Sequence, residues 1–257
     1  MTSPKELFRR LFVRSRFFRH VARWAIRDKR SPLDFSHILA IRENAPGPVH
    51  RDEALILFAL TRVLCPQTIV EFGFALGQSA LSFLLAADSD CRVFSYDYSK
   101  SAAETATKCF GHFKNLRLIA KSQTDFSSED IENRKIDLCF LDASHDLAHN
   151  LKTFELIQPS LSETAIVAVH DTGTWQRKFF TSRHHAFPTS DFGRKFGRWL
   201  DAEQFQPSAE DRLFVNHLLS HNPNFSQIHL HSANTLRNGI TLLQKSVPLA
   251  TNSVPHE

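Results

Sequence analysis

Cysteine is scarce in this 257-residue sequence, and the few cysteines are not spaced as a cross-linking framework. They form no CxxC pair and all fall in apolar stretches, at Cys65, Cys91, Cys109 and Cys139. A disulfide-stabilised secreted domain is therefore not indicated. We interpret the four residues as small core residues of a reduced, intracellular protein.

Long apolar runs and low-complexity stretches are also missing. No run approaches the ~20 residues that a membrane-spanning helix needs, and arginines interrupt the N-terminal region too often for a secretory signal. Apolar residues make up 42% and charged residues 23%, which excludes disordered, collagen-like and coiled-coil compositions. Glycine (8) and proline (11) are few and scattered, so no linker is indicated. The length suits one α/β domain with its own core.

Positive charge is concentrated at one end of the chain. Residues 1–30 hold ten lysines and arginines against two acidic residues, whereas the remainder holds 21 basic and 25 acidic residues. The pI near 9.0 reflects this end and does not indicate nucleic-acid binding.

The basic end has helical periodicity. Between residues 5 and 30, apolar residues recur on one face and arginines on the other, which predicts a basic amphipathic helix. Four roles remain open: packing on its own domain or on a second copy in a homo-oligomer, binding an anionic membrane surface, a cleaved mitochondrial targeting segment, and RNA contact. The predicted location is cytoplasmic. If the helix binds an anionic membrane surface, the protein would lie peripherally on the inner membrane face.

Downstream, strand and helix patterns alternate. Helices are predicted at 51–64, 77–87, 101–113, 146–158 and 208–220, and strands at 68–72, 92–96, 116–119, 136–141, 165–169, 225–231 and 239–244. This pattern predicts a doubly wound, mostly parallel, seven-stranded α/β sheet whose last two strands pair antiparallel. The predicted domains are a basic helical arm with linker (1–49), an α/β domain (50–246) and a flexible tail (247–257).

The first strand runs into a glycine turn, T-I-V-E-F-G-F-A-L-G-Q-S at 68–79. Gly73 and Gly77 let backbone N–H groups approach a ligand, and the following helix N-terminus favours negative charge. The second strand ends at Asp97, where an acidic residue can accept both ribose hydroxyls of an adenosine. The alternative for Gly73 and Gly77 is that they serve only packing. The alternative for Asp97 is that it is a solvated aspartate in a loop.

Acidic residues and histidines follow two further strands. Asp142 ends the fourth strand with His145 three residues later, and His170 and Asp171 end the fifth. Neighbouring strands would bring Asp142 and Asp171 together, close enough to share a hard divalent cation. The alternative for each aspartate is a helix N-cap.

These stretches together resemble a known family. The order E-F-G-x-x-x-G-x-S, Y-D, F-L-D-x-S-H and V-H-D is similar to class I S-adenosylmethionine-dependent methyltransferases. Within that class it resembles the macrocin-type and cephalosporin-hydroxylase-like branch of small-molecule and sugar O-methyltransferases. The resemblance covers about residues 50–245 and implies the Rossmann-like methyltransferase fold.

The resemblance also implies roles for individual residues. The cofactor S-adenosylmethionine would be held by Glu71, Gly73, Gly77, Ser79, Asp97, Ser122, Gln123 and Asp142. Asp142 and Asp171 would bind Mg²⁺ or another divalent cation, and His145 would be the general base. The acceptor would be a hydroxyl of a sugar, glycan or secondary metabolite, whose pKa a cation lowers and whose proton an imidazole removes.

Three positions depart from the family pattern. His170 stands where relatives are acidic, residues 120–125 (A-K-S-Q-T-D) replace Gly-Asp-Ser, and Ala75 replaces the middle glycine of the turn, which a negative φ would tolerate.

The basic segment 174–206 is interpreted as a cap over the acceptor pocket or as a solvated surface or subunit contact.

Two other functions stay open. An NAD(P)-dependent oxidoreductase would carry G-x-G-x-x-G, which this turn lacks, and the predicted antiparallel last hairpin opposes it. A membrane-associated, non-catalytic scaffold on a methyltransferase fold is the other alternative, suggested by the basic arm.

Overall fold

Helices and strands alternate along the described part of the chain as the sequence patterns predict. The computed structural model describes residues 49, 51–172, 210–231 and 239–245. The elements are α1 (Arg51–Leu64), β1 (Thr68–Phe72), α2 (Gln78–Ala86), β2 (Arg92–Tyr96), α3 (Lys100–Phe110), β3 (Leu116–Ile119), β4 (Ile136–Leu141), α4 (Leu147–Ile157), β5 (Leu161–Val169), α5 (Glu210–His221), β6 (Phe225–His231) and β7 (Gly239–Lys245). The predicted N-terminal arm, the segment 174–206 and the tail 247–257 lie outside these residues.

The strands form one seven-stranded sheet in the order β3-β2-β1-β4-β5-β7-β6. Neighbours are parallel from β3 to β5, whereas β7 runs antiparallel to both β5 and β6. The predicted doubly wound sheet with a reversed last hairpin is confirmed. Because successive strands leave β1 in opposite directions, the carboxyl ends of β1 and β4 border a crevice, where such sheets bind ligands.

Alternating strand residues build a core on each face of the sheet. In β1, Ile69 packs with residues of α1 and α2, whereas Val70 packs with residues of α4 and α5 on the opposite face. This is the three-layer arrangement expected when helices cover both faces of a parallel sheet. The strands are held rigidly from both sides, so the residues that follow their carboxyl ends have fixed starting points.

Helix starts are marked by local capping. Ser99 accepts a hydrogen bond from the Ala102 N–H at the start of α3, and Asp146 accepts one from the His149 N–H at the start of α4. The carboxylate of Asp146 is therefore used in capping, which leaves the neighbouring His145 just outside the helix.

Two details differ from the predictions. Strand β5 begins at Leu161 rather than at 165, since its first residues include the exposed, polar Glu163 and Thr164 and so lack an apolar pattern. The interpretation of all four cysteines as core residues is wrong for Cys65 and Cys109, which are exposed at the ends of α1 and α3. Cys91 and Cys139 are buried, as predicted.

Candidate functional site

Four strands bring their final residues into register along the crevice. Phe72 pairs with Tyr96 of β2 and with Leu141 of β4, and Leu141 pairs with Val169 of β5. The residues one step further therefore lie in a row across the sheet edge, in the order Asp97, Gly73, Asp142 and His170. The parallel pairing of the strands is thus sufficient to bring together four residues that the sequence motifs identify as candidate site residues.

The two glycines of the turn are required by close packing as well as by backbone conformation. Gly73 has φ +102°, and a Cβ there would lie 2.6 Å from the carbonyl oxygen of Asp142. Gly77 has φ +77°, and a Cβ there would lie 2.5 Å from the ring of Phe110. Side chains are rarely tolerated at such φ values. Packing and a ligand-binding turn are compatible interpretations, and Gly73 holds the β1 turn against the end of β4.

Ala75 adopts the left-handed conformation, with φ +46° instead of a negative value. Its N–H donates to Asp97 Oδ2 at 2.8 Å, while Asp97 Oδ1 accepts from the Ser99 N–H at 2.8 Å. The carboxylate therefore ties the glycine turn to the end of β2, which compensates the strain at Ala75. Asp97 lies where the sequence predicts and is only half-buried.

Glu71 lies beneath this turn with no exposed surface. Its two carboxylate oxygens accept hydrogen bonds from the hydroxyls of Ser79 and Ser95. Burial raises the pKa of Glu71 to about 7, against the opposing effect of the two hydroxyls. Glu71 of β1 is thus bonded to Ser79 of α2 and to Ser95 of β2. Glu71 and Ser79 are two of the residues that the sequence assigns to cofactor binding.

At the other side of the crevice, a histidine lies between two carboxylates. His170 Nδ1 is 2.8 Å from Asp142 Oδ1, and His170 Nε2 is 2.9 Å from Glu53 Oε2. Burial lowers the pKa of His170, but Asp142, Glu53 and Asp171 together raise it well above the usual value. Burial raises the pKa of Asp142, and the charge of His170 acts against that rise. His170 is thereby held as a cation between two acidic partners.

Asp142 and Asp171 do come together, but around an imidazole. Asp171 Oδ1 lies 3.6 Å from the same His170 Nδ1 that Asp142 contacts. Asp171 also has a strained backbone, with φ +54°. Across the described ranges, no group of three or more His, Cys, Asp or Glu side chains is arranged to hold a metal ion. The described donor set therefore does not fit a metal.

His145 is oriented by a residue distant in sequence. Its Nδ1 lies 2.9 Å from Oδ2 of Asp211, which is in the first turn of α5. Its Nε2 lies 3.7 Å from Asp171 Oδ2. Asp211 is 3% exposed, whereas the imidazole is 43% exposed. The ring is therefore anchored on one nitrogen by a buried carboxylate while much of it stays accessible.

Ser122 and Gln123 lie at the start of a short 3₁₀ helix after β3 (Gln123–Asp125), Ser122 as its N-cap. Ser122 caps that helix by accepting from the Thr124 N–H. Gln123 is buried, and its Nε2 donates to Asn150 Oδ1 at 3.0 Å and to Thr153 Oγ1 at 2.9 Å. Its Oε1 is buried and accepts no hydrogen bond from any residue that the structure describes. An unused buried acceptor is costly unless a ligand or water supplies a donor.

The structure adds site residues that the sequence analysis did not assign. Glu53 lies on the buried face of α1, in line with Leu57 and Thr61. An acidic residue on an apolar helix face is a signal that could have been found. Asp211 had no such signal, because 66 residues separate it from the histidine that it contacts.

Comparison with known proteins is consistent with this architecture. Residues 70–172 match the family model of a methyltransferase domain. A comparison with curated proteins finds no significant match. No helix among the described residues is long and apolar enough to cross a membrane.

Solved structures share the fold at low sequence identity. An O-methyltransferase from Bacillus cereus in complex with SAH is 18% identical, covers 88% of this chain and 97% of its own, and has a TM-score of 0.59. The SAH-bound methyltransferase PaMTH1 from Podospora anserina is 18% identical with a TM-score of 0.56, covering 91% and 97%. TomG from Streptomyces achromogenes, an O-methyltransferase in complex with SAM, is 17% identical with a TM-score of 0.55, covering 88% and 95%. These likenesses establish the Rossmann-like methyltransferase fold.

Proposed function

We propose that this chain, which carries a methyltransferase domain of the class I fold, is an S-adenosylmethionine-dependent O-methyltransferase. The observation that carries the proposal is a juxtaposition at one sheet edge. A glycine turn closed by Asp97 lies beside a histidine, His145, whose ring is anchored by a buried carboxylate. The first feature suits an adenosyl cofactor, and the second suits removal of a hydroxyl proton.

The residues of the turn fit the cofactor. Gly73 and Gly77 let the turn pack against the Asp142 carbonyl and the Phe110 ring, where a side chain would clash, and such a turn can bring backbone N–H groups close to a ligand. Asp97 has a half-buried carboxylate for the ribose hydroxyls, and the unused Oε1 of Gln123 can accept from the adenine amino group. The roles of Glu71, Ser79, Ser122 and Asp142 in cofactor binding remain predictions, with Glu71 and Ser79 acting from beneath the turn.

When bound, S-adenosylmethionine supplies a methyl group that its sulfonium has already activated. The protein then has to align a hydroxyl oxygen in line with that methyl and to remove its proton. His145 is the residue proposed to take the proton, because its ring is accessible and oriented at the crevice. The imidazole of His145 would accept the hydroxyl proton as the acceptor oxygen takes the methyl group from the sulfonium.

Within this class, the acceptor is proposed to be a hydroxyl of a sugar, glycan or secondary metabolite. This finer proposal rests on the resemblance of the motifs to the macrocin-type branch. Assistance by Mg²⁺ at Asp142 and Asp171 is the other prediction from that resemblance. The bond between His170 and Asp142 weighs against it, because it commits one carboxylate oxygen to an imidazole.

The test is calorimetric titration of S-adenosylhomocysteine into the full chain, with Mg²⁺ or with EDTA. We expect micromolar-range binding that does not depend on Mg²⁺, and a loss of at least tenfold in Asp97→Ala. The matched control is Asp90→Ala, an exposed aspartate between α2 and β2, which should bind as the unsubstituted chain does. A folded protein that does not bind S-adenosylhomocysteine in either condition would refute the proposal.

The oxidoreductase alternative loses its structural support. Its fold would continue with parallel strands, whereas β7 is antiparallel to both of its neighbours. Titration of NAD⁺ and NADP⁺ under the same conditions provides the direct comparison, and no binding of either is expected.

A further inference from the structure

A chain of hydrogen bonds connects His145 to the 3₁₀ helix that carries Gln123. Asp211 Oδ2 contacts His145 Nδ1 at 2.9 Å, and Asp211 Oδ1 accepts from Asn150 Nδ2 at 3.0 Å. Asn150 Oδ1 in turn accepts from Gln123 Nε2 at 3.0 Å. Asp211, Asn150 and Gln123 are all at least 95% buried. Buried polar groups of this kind have few alternative partners, so the direction of each bond is constrained.

The carboxylate sets that direction. An ionised aspartate only accepts hydrogen bonds, so the groups facing its two oxygens must both donate. The amide of Asn150 therefore turns its NH₂ toward Asp211 and its oxygen toward Gln123. Gln123 must then donate with its NH₂, which leaves its oxygen as the unused acceptor.

The same argument applies to the imidazole. Because Nδ1 faces Asp211, Nδ1 carries the hydrogen in the neutral ring, and Nε2 keeps the lone pair. Nε2 is on the side of the ring that approaches Asp171, at the end of β5, at 3.7 Å. This distance is too long for a hydrogen bond, so that carboxylate does not fix the tautomer.

We propose that Asp211 is a positioning residue that holds His145 as the Nδ1–H tautomer and so reserves Nε2 for the proton of the acceptor hydroxyl. The proposal rests on the proposed function for the role of Nε2, but not for the tautomer itself. Through Asn150, the same carboxylate also orients the amide of Gln123. One buried aspartate from α5 thus sets the hydrogen-bonding polarity of both the His145 imidazole and the Gln123 amide.

The first test is the tautomer of His145 in Asp211→Asn. The new amide is isosteric, and its oxygen can still accept from Asn150. Its NH₂ then faces Nδ1 of His145, which must become an acceptor, so the hydrogen moves to Nε2. Long-range ¹H–¹⁵N spectra distinguish the two tautomers, and His145→Gln identifies the signal by its disappearance. Spectra are recorded at a pH high enough that the His145 signal no longer changes.

The expected result is Nδ1–H in the unsubstituted chain and Nε2–H in Asp211→Asn. The matched control is Asp146→Asn, which makes the same chemical change beside His145 at the α4 N-cap and should leave the tautomer unchanged. An Nε2–H tautomer in the unsubstituted chain would overturn the proposal, and so would an unchanged Nδ1–H tautomer in Asp211→Asn.

A binding measurement separates this proposal from the proposed function. Since Asp211→Asn keeps the bond to Asn150, S-adenosylhomocysteine should bind within about threefold of the unsubstituted chain. If the unsubstituted chain shows Nδ1–H but does not bind S-adenosylhomocysteine, the proposed function fails and the role of Asp211 in orienting the ring stands. If it binds S-adenosylhomocysteine but the tautomer does not respond to Asp211→Asn, the positioning proposal fails alone.

Turnover is the third measurement, because a purely structural role for Asp211 would not predict a selective loss of kcat. For an acceptor that the chain methylates, Asp211→Asn should lower kcat by roughly 10²–10⁴-fold, with little change in KM for S-adenosylmethionine. In a His145→Gln background the same substitution should have no further effect, because a residue that acts through His145 has nothing left to orient. Additive losses would contradict the proposal.

Discussion

At the residue scale, Glu71 shows how burial changes the chemistry of a carboxyl group. The side chain has no exposed surface, and both its oxygens accept hydrogen bonds from serine hydroxyls. These bonds favour the ionised form, but burial outweighs them and raises the pKa from 4.5 to about 7. The negative charges of Asp142 and Asp97 contribute to this rise. Glu71 therefore changes its charge state near neutral pH.

This shift predicts a pH-dependent stability. Because the pKa is higher in the folded state, the group favours folding most strongly below pH 4.5, and this contribution is lost as pH rises through about 7. Glu71→Gln has no charge to bury at any pH. We expect its free energy of unfolding, relative to the unsubstituted chain, to increase by about 2–3 kcal/mol between pH 5 and pH 8. Urea denaturation at the two pH values measures this change.

The control for this prediction is Glu163→Gln. Glu163 is exposed on β5, so its substitution should shift stability equally at both pH values. A constant difference between Glu71→Gln and the unsubstituted chain would show that Glu71 titrates in the folded protein as it does in the unfolded one.

At the element scale, Glu53 joins three elements that are distant in sequence. It belongs to α1, its Oε2 lies 2.9 Å from His170 after β5, and its Oε1 accepts from the Gly239 N–H of β7 at 2.8 Å. Glu53 and His170 are both buried. A buried ion pair adds little net stability when complete, but removing one partner leaves a buried charge uncompensated.

Glu53→Ala should therefore destabilise the protein by about 3–5 kcal/mol, because Nε2 of His170 and the Gly239 N–H both lose their acceptor. Thermal or urea unfolding measures the loss. Glu104→Ala is the comparison: Glu104 is an exposed helical glutamate 4.0 Å from Lys108, and its loss should cost no more than about 0.5 kcal/mol. A cost below 1 kcal/mol for Glu53→Ala would mean that Asp142 compensates the charge of His170 without Glu53.

The same scale explains what the sequence predicts well. The strands β1, β2, β3 and β4 have the predicted bounds, because each is a short run rich in apolar residues between polar or turn-forming residues. Strand β5 begins earlier than predicted because its first residues are held by pairing with β4, with a register shift near Ile136 and Leu138, and not by their own pattern. Tertiary pairing at a strand end leaves no periodic signal.

The site residues that come directly after a strand could be predicted from the sequence. Asp97, Asp142 and His170 lie in one row since parallel strands end together. The contacts among side chains were not predictable, because Glu53 and Asp211 reach the row from α1 and α5. The left-handed conformation of Ala75 was also missed: an alanine gives no sign that a distant aspartate will hold its N–H.

At the scale of the whole molecule, charge is divided between the two parts of the sequence. Residues 1–30 hold ten lysines and arginines and two acidic residues, and the rest of the chain has an excess of acidic residues. An anionic lipid surface would therefore attract the first part and weakly repel the second. Each basic residue near such a surface contributes about 1 kcal/mol, an effect that salt screens.

We expect the full chain to sediment with vesicles that contain phosphatidylserine or phosphatidylglycerol, and not with phosphatidylcholine vesicles. Reversing three charges, by replacing Arg9, Arg10 and Arg14 with Glu, should abolish this sedimentation because it lowers the net charge of the segment by six. High salt should have the same effect on the unsubstituted chain. S-adenosylhomocysteine binding should not change, since the cofactor residues proposed here all lie downstream of residue 70.

The competing role of the segment, packing on its own domain or on a second copy, gives the opposite pattern. In that case the charge-reversed chain would lose thermal stability or change its oligomeric state, while vesicle binding would be weak in both forms. Salt sensitivity also separates the two roles, because apolar packing of the phenylalanines and leucines is not screened by ions, whereas attraction to a charged surface is. A segment that keeps its vesicle binding in high salt would be held by its apolar face, and the arginines would then not be its principal membrane contact.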